Sequence, residues 1–159
     1  KLPDTKPDKE KLDENLAALR VGTVFEKFMS LQYFAYDTGV FMPWGNPQCI
    51  ANKRYFRDNG GVALITDLMT SDVISVTLDG RYIHLARFAA SACWNFAENR
   101  EFMTCLLQHG ALKHYISFLR NEDVEFKVVG IGAMWGFLEY DDSRDYLIKE
   151  GCIEELKAL

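Results

Sequence analysis

Apolar residues recur every three or four positions along most of this chain, the spacing that predicts amphipathic α-helices. We predict a long helix over 13–37, broken or bent near Gly22, followed by a Gly- and Pro-rich loop over 38–47. Further helices are predicted over 48–58, 62–70, 81–98, 100–108, 111–120 and 123–139, and another begins at 144–149. Between two of them, residues 71–80 carry turn residues around a β-branched run, which predicts either a loop or a small hairpin.

Within this helical pattern one motif occurs three times: an Arg-x-aromatic step, a glycine after one short helix, and a new amphipathic run. The copies start at Arg54, Arg100 and Arg144 and reach their glycines at Gly60, Gly110 and Gly151. The last two glycines are 41 residues apart, a period typical of stacked helical repeats, and an insertion over 71–80 lengthens the first interval to 50. Because one unit cannot bury both of its faces, the units are expected to stack into a continuous core.

The third helix of each unit supports the same period. Shifting the chain by 41 residues superposes Ala92, Trp94, Phe96 and Glu98 on Ala133, Trp135, Phe137 and Glu139, which is four identities within seven positions. The glycines are predicted to take the left-handed or closely packed conformation where two helices meet. The recurring arginines lie near helix starts, where a cation does not favour the dipole, so each is predicted to bind a neighbouring carbonyl or carboxylate.

Three segments resemble the sequence signatures of armadillo repeats: Asn99-Arg100-Glu101-Phe102, Gln108-His109-Gly110-Ala111-Leu112 and Ala92-Cys93-Trp94-Asn95-Phe96. The resemblance covers about 50–159 and implies an all-α, right-handed α-solenoid of armadillo-type three-helix repeats. Its repeats would be 48–98 and 99–139, with a further one starting over 142–159 and the helix 13–37 in front. In armadillo proteins an asparagine of the third helix lines a concave groove and holds the backbone of an extended peptide. Asn95 matches that residue, whereas its counterpart one repeat later is Gly136.

The resemblance implies a scaffold or adaptor for protein–protein interaction that binds a partner segment on the concave face of the third helices. Arg87, Ser91 and Asn95 lie four residues apart on one helical face, and their counterparts are Val128, Gly132 and Gly136. These residues allow two interpretations. They form either a groove, with a polar wall on the first helix and an open wall of small residues on the second, or an ordinary solvated face whose glycines serve helix packing. Trp44 and Phe41, in the loop, either pack back on the first repeat or present an aromatic anchor to a partner.

The composition and charge of the chain limit the classes of molecule that it can bind. The chain has 159 residues, 48% hydrophobic and 26% charged, and a formal net charge of −5 without a cluster of Lys and Arg, which argues against a broad nucleic-acid surface. Basic or neutral proteins are the better partners. No uninterrupted apolar run reaches the roughly 18 residues of a membrane span. The four cysteines lack CxxC spacing and are predicted to be free thiols, which favours the cytoplasm or the nucleus.

The ends of the chain have a different character. Residues 1–12 are mostly charged or proline and predict a disordered, solvated lead-in. The chain begins without Met and ends where an amphipathic run has barely begun, so we expect a fragment of a longer protein. Stacking on further repeats, or on copies of itself in a purely structural array, is therefore one alternative function.

We predict no catalytic activity, no cofactor and no bound metal. His84, His109 and His114 are too scattered for a zinc site, and no His stands beside Cys93 or Cys105 to activate a thiolate. The remaining alternative is a helical enzyme that uses the acidic cluster Glu139, Asp141, Asp142 and Asp145 as an acid/base pair. A simpler role for these carboxylates is helix capping, by Asp142 or by its neighbour Ser143.

Overall fold

The computed structural model describes residues 5–37, 40–41, 46–70, 75–78, 81–97 and 99–158. The elements before the insertion are α1 Lys9–Val21, α2 Val24–Tyr36, α3 Pro47–Asp58 and α4 Gly61–Leu68. A hairpin of β1 Ser75–Leu78 and β2 Arg81–His84 follows. The second half contains α5 Leu85–Phe96, α6 Arg100–Gln108, α7 Ala111–Leu119, α8 Val124–Leu138, α9 Asp141–Lys149 and α10 Cys152–Lys157.

The helices form stacked units of three. One unit is α3, α4 and α5, the next is α6, α7 and α8, and α9 with α10 repeats the first two helices of a unit. The third helices pack side by side, because α5 lies against α2 on one side and against α8 on the other. The helices α1 and α2 therefore take the places of a second and a third helix, and the row of third helices begins at α2.

A left-handed glycine separates the first and second helices of each unit. Gly60, Gly110 and Gly151 have φ values of 76°, 77° and 78°, a region that other L-residues rarely adopt because their Cβ crowds the following carbonyl. Each glycine immediately precedes the second helix of its unit. The predicted role of these three glycines is confirmed.

The segment predicted as a long helix over 13–37, broken or bent near Gly22, forms two helices that separate at Gly22 and Thr23. The sequence Thr23-Val24-Phe25-Glu26 makes a capping box: the Thr23 hydroxyl accepts the Glu26 N–H, and the Glu26 carboxylate accepts the N–H of Thr23. The N–H and the hydroxyl of Thr23 both donate to the Glu26 carboxylate, which lowers the pKa of Glu26. The first helix begins at Lys9, inside the predicted lead-in, because Leu12 and Leu16 are fully buried in the core.

Within the insertion, the described residues 75–78 form a β-strand that pairs with residues 81–84, as the hairpin alternative predicts. Its strands pair antiparallel from Ser75 opposite His84 to Leu78 opposite Arg81. The third helix of this unit therefore begins at Leu85, four residues later than predicted, because the residues of β2 satisfy their backbone groups in the ladder instead of in a helix. This hairpin leaves the all-α class of the fold unchanged.

An aromatic cluster joins the first units at their core. The Phe56 ring of α3 lies 4.6 Å from Phe34 of α2, 5.0 Å from Phe41 and 5.9 Å from Phe96 of α5, measured between ring centroids. All four rings are buried. Phe41 therefore packs back on the array, which is the first of its two predicted roles. Trp44 lies outside the described residues.

Ion pairs connect the first helices of successive units. Arg54 Nε lies 2.9 Å from Glu101 Oε1, and Arg100 Nη2 lies 3.0 Å from Asp142 Oδ2. The third arginine, Arg144, donates to the carbonyl of Leu138 of the preceding helix at 3.2 Å. The prediction that each arginine makes a specific contact is confirmed, and we call the first two pairs the arginine ladder.

We expect the arginine ladder to add little stability. Replacing Glu101→Gln should lower the free energy of unfolding by less than about 1 kcal/mol, because both side chains of the pair are exposed and water competes for them. In about 1 M salt the difference should nearly vanish, since screening shortens the reach of exposed charges. Urea unfolding at low and high salt measures this, with Glu122→Gln as the control. A loss above 2 kcal/mol that persists in salt, on the scale of a buried pair, would contradict the prediction.

Candidate functional site

The outward faces of α2, α5 and α8 form one surface, which we call the third-helix surface. It exposes large apolar side chains: Trp94 on α5, and Val128 and Trp135 on α8. Trp94 and Trp135 occupy corresponding positions of successive repeats, and Trp135 is 75% exposed. A solvent-exposed tryptophan carries a large apolar area that a binding partner can bury.

Arg87 lies on this surface but is already paired. Its guanidinium forms an ion pair with Glu125 of α8 and lies 5.4 Å from the centroid of the Phe88 ring. Ser91 donates its hydroxyl hydrogen to the carbonyl oxygen of Arg87 at 3.1 Å. The side chains of Arg87 and Ser91 thus share one face, as their spacing predicts, and both are engaged within the chain.

Asn95 connects two third helices. Its side-chain Nδ2 donates to the carbonyl oxygen of Ala35, near the C-terminal end of α2. The last turn of a helix has carbonyls without intrahelical partners, and Asn95 satisfies one of them from the neighbouring helix. Arg87 holds α5 to α8, and Asn95 holds α5 to α2.

The glycines on α8 have two different roles. A Cβ built on Gly132 would lie 2.4 Å from Cη2 of Trp94, so the absence of a side chain lets the indole lie directly against α8. A Cβ on Gly136 would meet no heavy atom within 4 Å. Gly132 therefore serves helix packing, whereas Gly136 leaves open space on the third-helix surface where Asn95 stands one repeat earlier.

The structure brings Arg87, Ser91 and Asn95 onto one surface and leaves their binding role a prediction. It adds the two tryptophans Trp94 and Trp135, whereas Val128 already belongs to the wall predicted from the sequence. The missed signal is the pattern of α8, whose apolar residues surround the helix instead of forming one stripe. A helix of that kind is apolar on its outward face as well.

Two carboxylates of the acidic cluster, Asp141 and Asp142, lie at the start of α9 and form ion pairs with arginines. Asp142 pairs with Arg100, and Asp141 Oδ1 lies 3.2 Å from Arg144 Nη1. All four of these side chains are exposed to solvent. A general acid with a raised pKa needs a carboxyl group in an apolar pocket, and neither aspartate stands in one.

The capping role predicted for Asp142 or Ser143 is wrong. The helix α9 begins at Asp141 after Tyr140, without a side-chain capping bond. Ser143 is fully buried, and its hydroxyl donates to the carbonyl oxygens of Phe137 and Tyr140. The last carbonyls of a helix have no intrahelical partners. Ser143, in the first turn of α9, thus connects α9 to the C-terminal end of α8.

The cysteines are free thiols, as predicted. Burial raises the pKa of both the Cys93 and the Cys105 thiol, which is opposite to the shift that activates a nucleophilic cysteine. Among the described residues, no group of three or more His, Cys, Asp or Glu side chains is placed to hold a metal ion. No helix in the described part of the chain is long and apolar enough to cross a bilayer.

Comparison with solved structures identifies the fold. The chain is similar to the designed armadillo repeat protein YIII(Dq)4CqI, with a TM-score of 0.73 at 16% identity over 91% of this chain and 55% of the designed one. Two engineered proteins of the Northeast Structural Genomics Consortium match with TM-scores of 0.71 and 0.73 at 19% and 18% identity, over 91% and 92% of this chain and 54% and 53% of theirs. No protein-family model and no curated protein sequence matches the chain.

The fold is thus an armadillo-type α-solenoid, as the resemblance implied. The chain spans about half the length of each of these three proteins. All three were designed or engineered, and at this identity the likeness concerns the fold. The architecture is that of a stacked array of helical repeats.

Proposed function

We propose that the protein is a protein-binding scaffold that holds a polypeptide segment of a partner across the third-helix surface. The observation that carries the proposal is the pair of exposed tryptophans at corresponding positions of α5 and α8. Tryptophan is among the residues that contribute most to binding at protein interfaces. Stacked repeats supply such a surface in extended form, because each unit adds one more third helix to the row.

The charges favour a neutral or basic segment. The positive charge of Arg87 is offset by Glu125, and the whole chain carries a formal net charge of −5. An acidic segment would approach against that net charge, whereas a basic one would be attracted. The binding energy would come mainly from burial of Trp94, Val128 and Trp135, and the charges would affect the association rate and the choice of partner.

In this proposal the polar residues on α5 shape the surface. Arg87, through Glu125, and Asn95, through the Ala35 carbonyl, keep the three helices in register. A partner segment would lie across the third-helix surface and enter the open space beside Gly136. Replacing Arg87 or Asn95 would weaken both the fold and the binding, so neither is the sharpest test.

Gly136→Gln tests the proposal without disturbing the core. The new side chain enters open space on the third-helix surface and should block the segment. The fold should remain at least as stable, because glutamine favours a helix interior over glycine. Proteins captured from cell extract by the wild-type chain should fall at least tenfold with Gly136→Gln, measured by quantitative mass spectrometry.

Lys113→Gln is the matched control, because it changes an exposed residue of the second helix α7 and should keep the captured set. Thermal unfolding of both variants shows whether they fold. If folded Gly136→Gln captures the same proteins in the same amounts as Lys113→Gln, the third-helix surface is not the binding site.

A further inference from the structure

Trp94 and Trp135 each leave part of the ring and the indole N–H free on the third-helix surface. Trp94 is still 38% exposed although α5 packs against α2 on one side and against α8 on the other. A further unit stacked on α8 in the same way would therefore leave Trp135 partly exposed as well. Within the part of the chain that the structure describes, neither indole N–H donates a hydrogen bond. Each tryptophan thus offers a partner an apolar ring and an unused donor.

The other side chains of this surface offer little to the backbone of a partner. Arg87, Ser91 and Asn95 each use a donor within the chain. The counterparts of Ser91 and Asn95 on α8 are Gly132 and Gly136, which have no side chain. A partner strand that buries its N–H and C=O groups needs a row of hydrogen-bonding partners for them, and these residues do not form one.

A polyproline II helix has a backbone that suits such a surface. It has no internal hydrogen bonds, its prolines lack an N–H, and its carbonyl oxygens remain free to accept from an indole N–H. An α-helix satisfies its own carbonyls and would leave both indole donors unpaired. Aromatic-lined grooves bind Pro-rich segments in this conformation in several unrelated domains.

The spacing of the two tryptophans fits the same conformation. They occupy corresponding positions of α5 and α8, which pack side by side, and packed helices lie about 8–10 Å apart. A polyproline II helix has three residues per turn and rises about 3.1 Å per residue, so every third residue returns to one face after about 9 Å. An extended strand repeats its face after about 7 Å. Two prolines three residues apart therefore fit over Trp94 and Trp135.

A carboxylate lies beside the second tryptophan. Glu139 is exposed and follows Trp135 by four residues, which places it one turn further along the same side of α8. Among the described residues no ion pair includes it, because Arg144, which binds the end of α8, pairs with Asp141. The negative end of the helix dipole adds to the charge of Glu139. A cationic side chain next to the prolines is therefore favoured at this end of the surface.

We propose that the third-helix surface binds a proline-rich segment in the polyproline II conformation, flanked by an arginine or a lysine. One proline packs on Trp94, the proline three residues away packs on Trp135, and each indole N–H donates to a carbonyl oxygen of the segment. The flanking cation pairs with Glu139. This inference rests on the protein-binding function proposed for the same surface and adds the chemistry of the partner.

An oligoproline peptide with an arginine at each end tests the proposal on the whole chain. With about nine prolines it makes three turns of polyproline II helix. In a titration followed by NMR of the indole N–H groups, the signals of Trp94 and Trp135 should shift. These signals are identified by their loss in Trp94→Phe and Trp135→Phe. A Gly-Ser peptide of the same length and charge is the matched control and should bind at least tenfold more weakly.

Variants of the protein separate the role of the ring from that of the charge. Trp135→Leu keeps an apolar side chain but removes the flat ring and the N–H, and it should weaken binding at least tenfold in a protein that thermal unfolding shows to be folded. Glu139→Gln should weaken binding about two- to fivefold, the range of an exposed ion pair, and less in high salt. Glu122→Gln removes the same charge from an exposed site before the other end of α8 and should bind normally.

Any of three results would overturn the proposal. The first is no shift of either indole signal up to about 1 mM oligoproline peptide, a concentration at which even weak sites fill. The second is equal binding of the Gly-Ser peptide, because charge alone would then explain it. The third is tighter binding of a helical alanine-based peptide with the same terminal arginines. If Gly136→Gln still abolished capture of proteins in any of these cases, the surface would bind a segment of another chemistry and the protein-binding function would stand.

Discussion

Replacing Phe56→Ala should lower the free energy of unfolding by about 3–5 kcal/mol, the largest effect we expect from a single substitution in this chain. The Phe56 ring is fully buried and contacts Phe34 of α2, Phe41 and Phe96 of α5. Its removal takes apolar area from the core and leaves a cavity that three rigid neighbouring rings cannot fill. Urea unfolding followed by circular dichroism measures the loss.

Phe25→Ala is the control, since this ring on α2 is half exposed and its removal should cost less than about 1 kcal/mol. The two variants remove the same atoms and differ in burial. If both lost the same free energy, the aromatic cluster would not be the centre of stability that its packing indicates. Partial unfolding limited to α1 and α2 would show that the units unfold separately, as repeat arrays can.

Two glycine substitutions should change stability in opposite directions. Gly110→Ala should lower the free energy of unfolding by about 1–2 kcal/mol, because its φ of 77° forces an added Cβ against the following carbonyl. Gly136→Ala should raise it by up to about 1 kcal/mol, because the site is helical, a Cβ meets nothing, and alanine loses less entropy than glycine. Thermal unfolding of both variants tests the pair.

The difference between these variants is the informative quantity, because both replace glycine by alanine and share its effect on the unfolded chain. If Gly110→Ala were as stable as the wild type, the left-handed turn between α6 and α7 would not be required. If Gly136→Ala were destabilising, the space beside α8 would be smaller than the structure shows, and the blocking variant proposed above would need another position.

Local sequence signals predicted the repeat and most of its helices. Gly110 and Gly151 marked turns that depend only on backbone sterics, and Arg100 with Phe102 marked the start of α6, which begins at the predicted residue. The Thr23–Glu26 capping box was equally local and equally visible in the sequence. Gly22 marks the break in this helical segment, and the capping box fixes the residue at which α2 begins.

The candidate site could be predicted only in part. The spacing of Arg87, Ser91 and Asn95 places them on one helical face in any helix, and the structure has them there. Their partners Glu125 and Ala35 lie 38 and 60 residues away in the sequence. The packing of α5 against α8 and against α2 places these partners, and no local pattern contains that information.

By itself, then, the sequence determined where helices form and turn and how often the unit recurs, because these depend on contacts between residues close along the chain. Only the tertiary structure decided that α2 begins the row of third helices, that the Trp94 ring lies against Gly132, and that Gly136 faces open space. The physical reason is burial. Whether Trp94 or Trp135 is core or surface depends on which helix packs over it, and a helical period alone does not specify that neighbour.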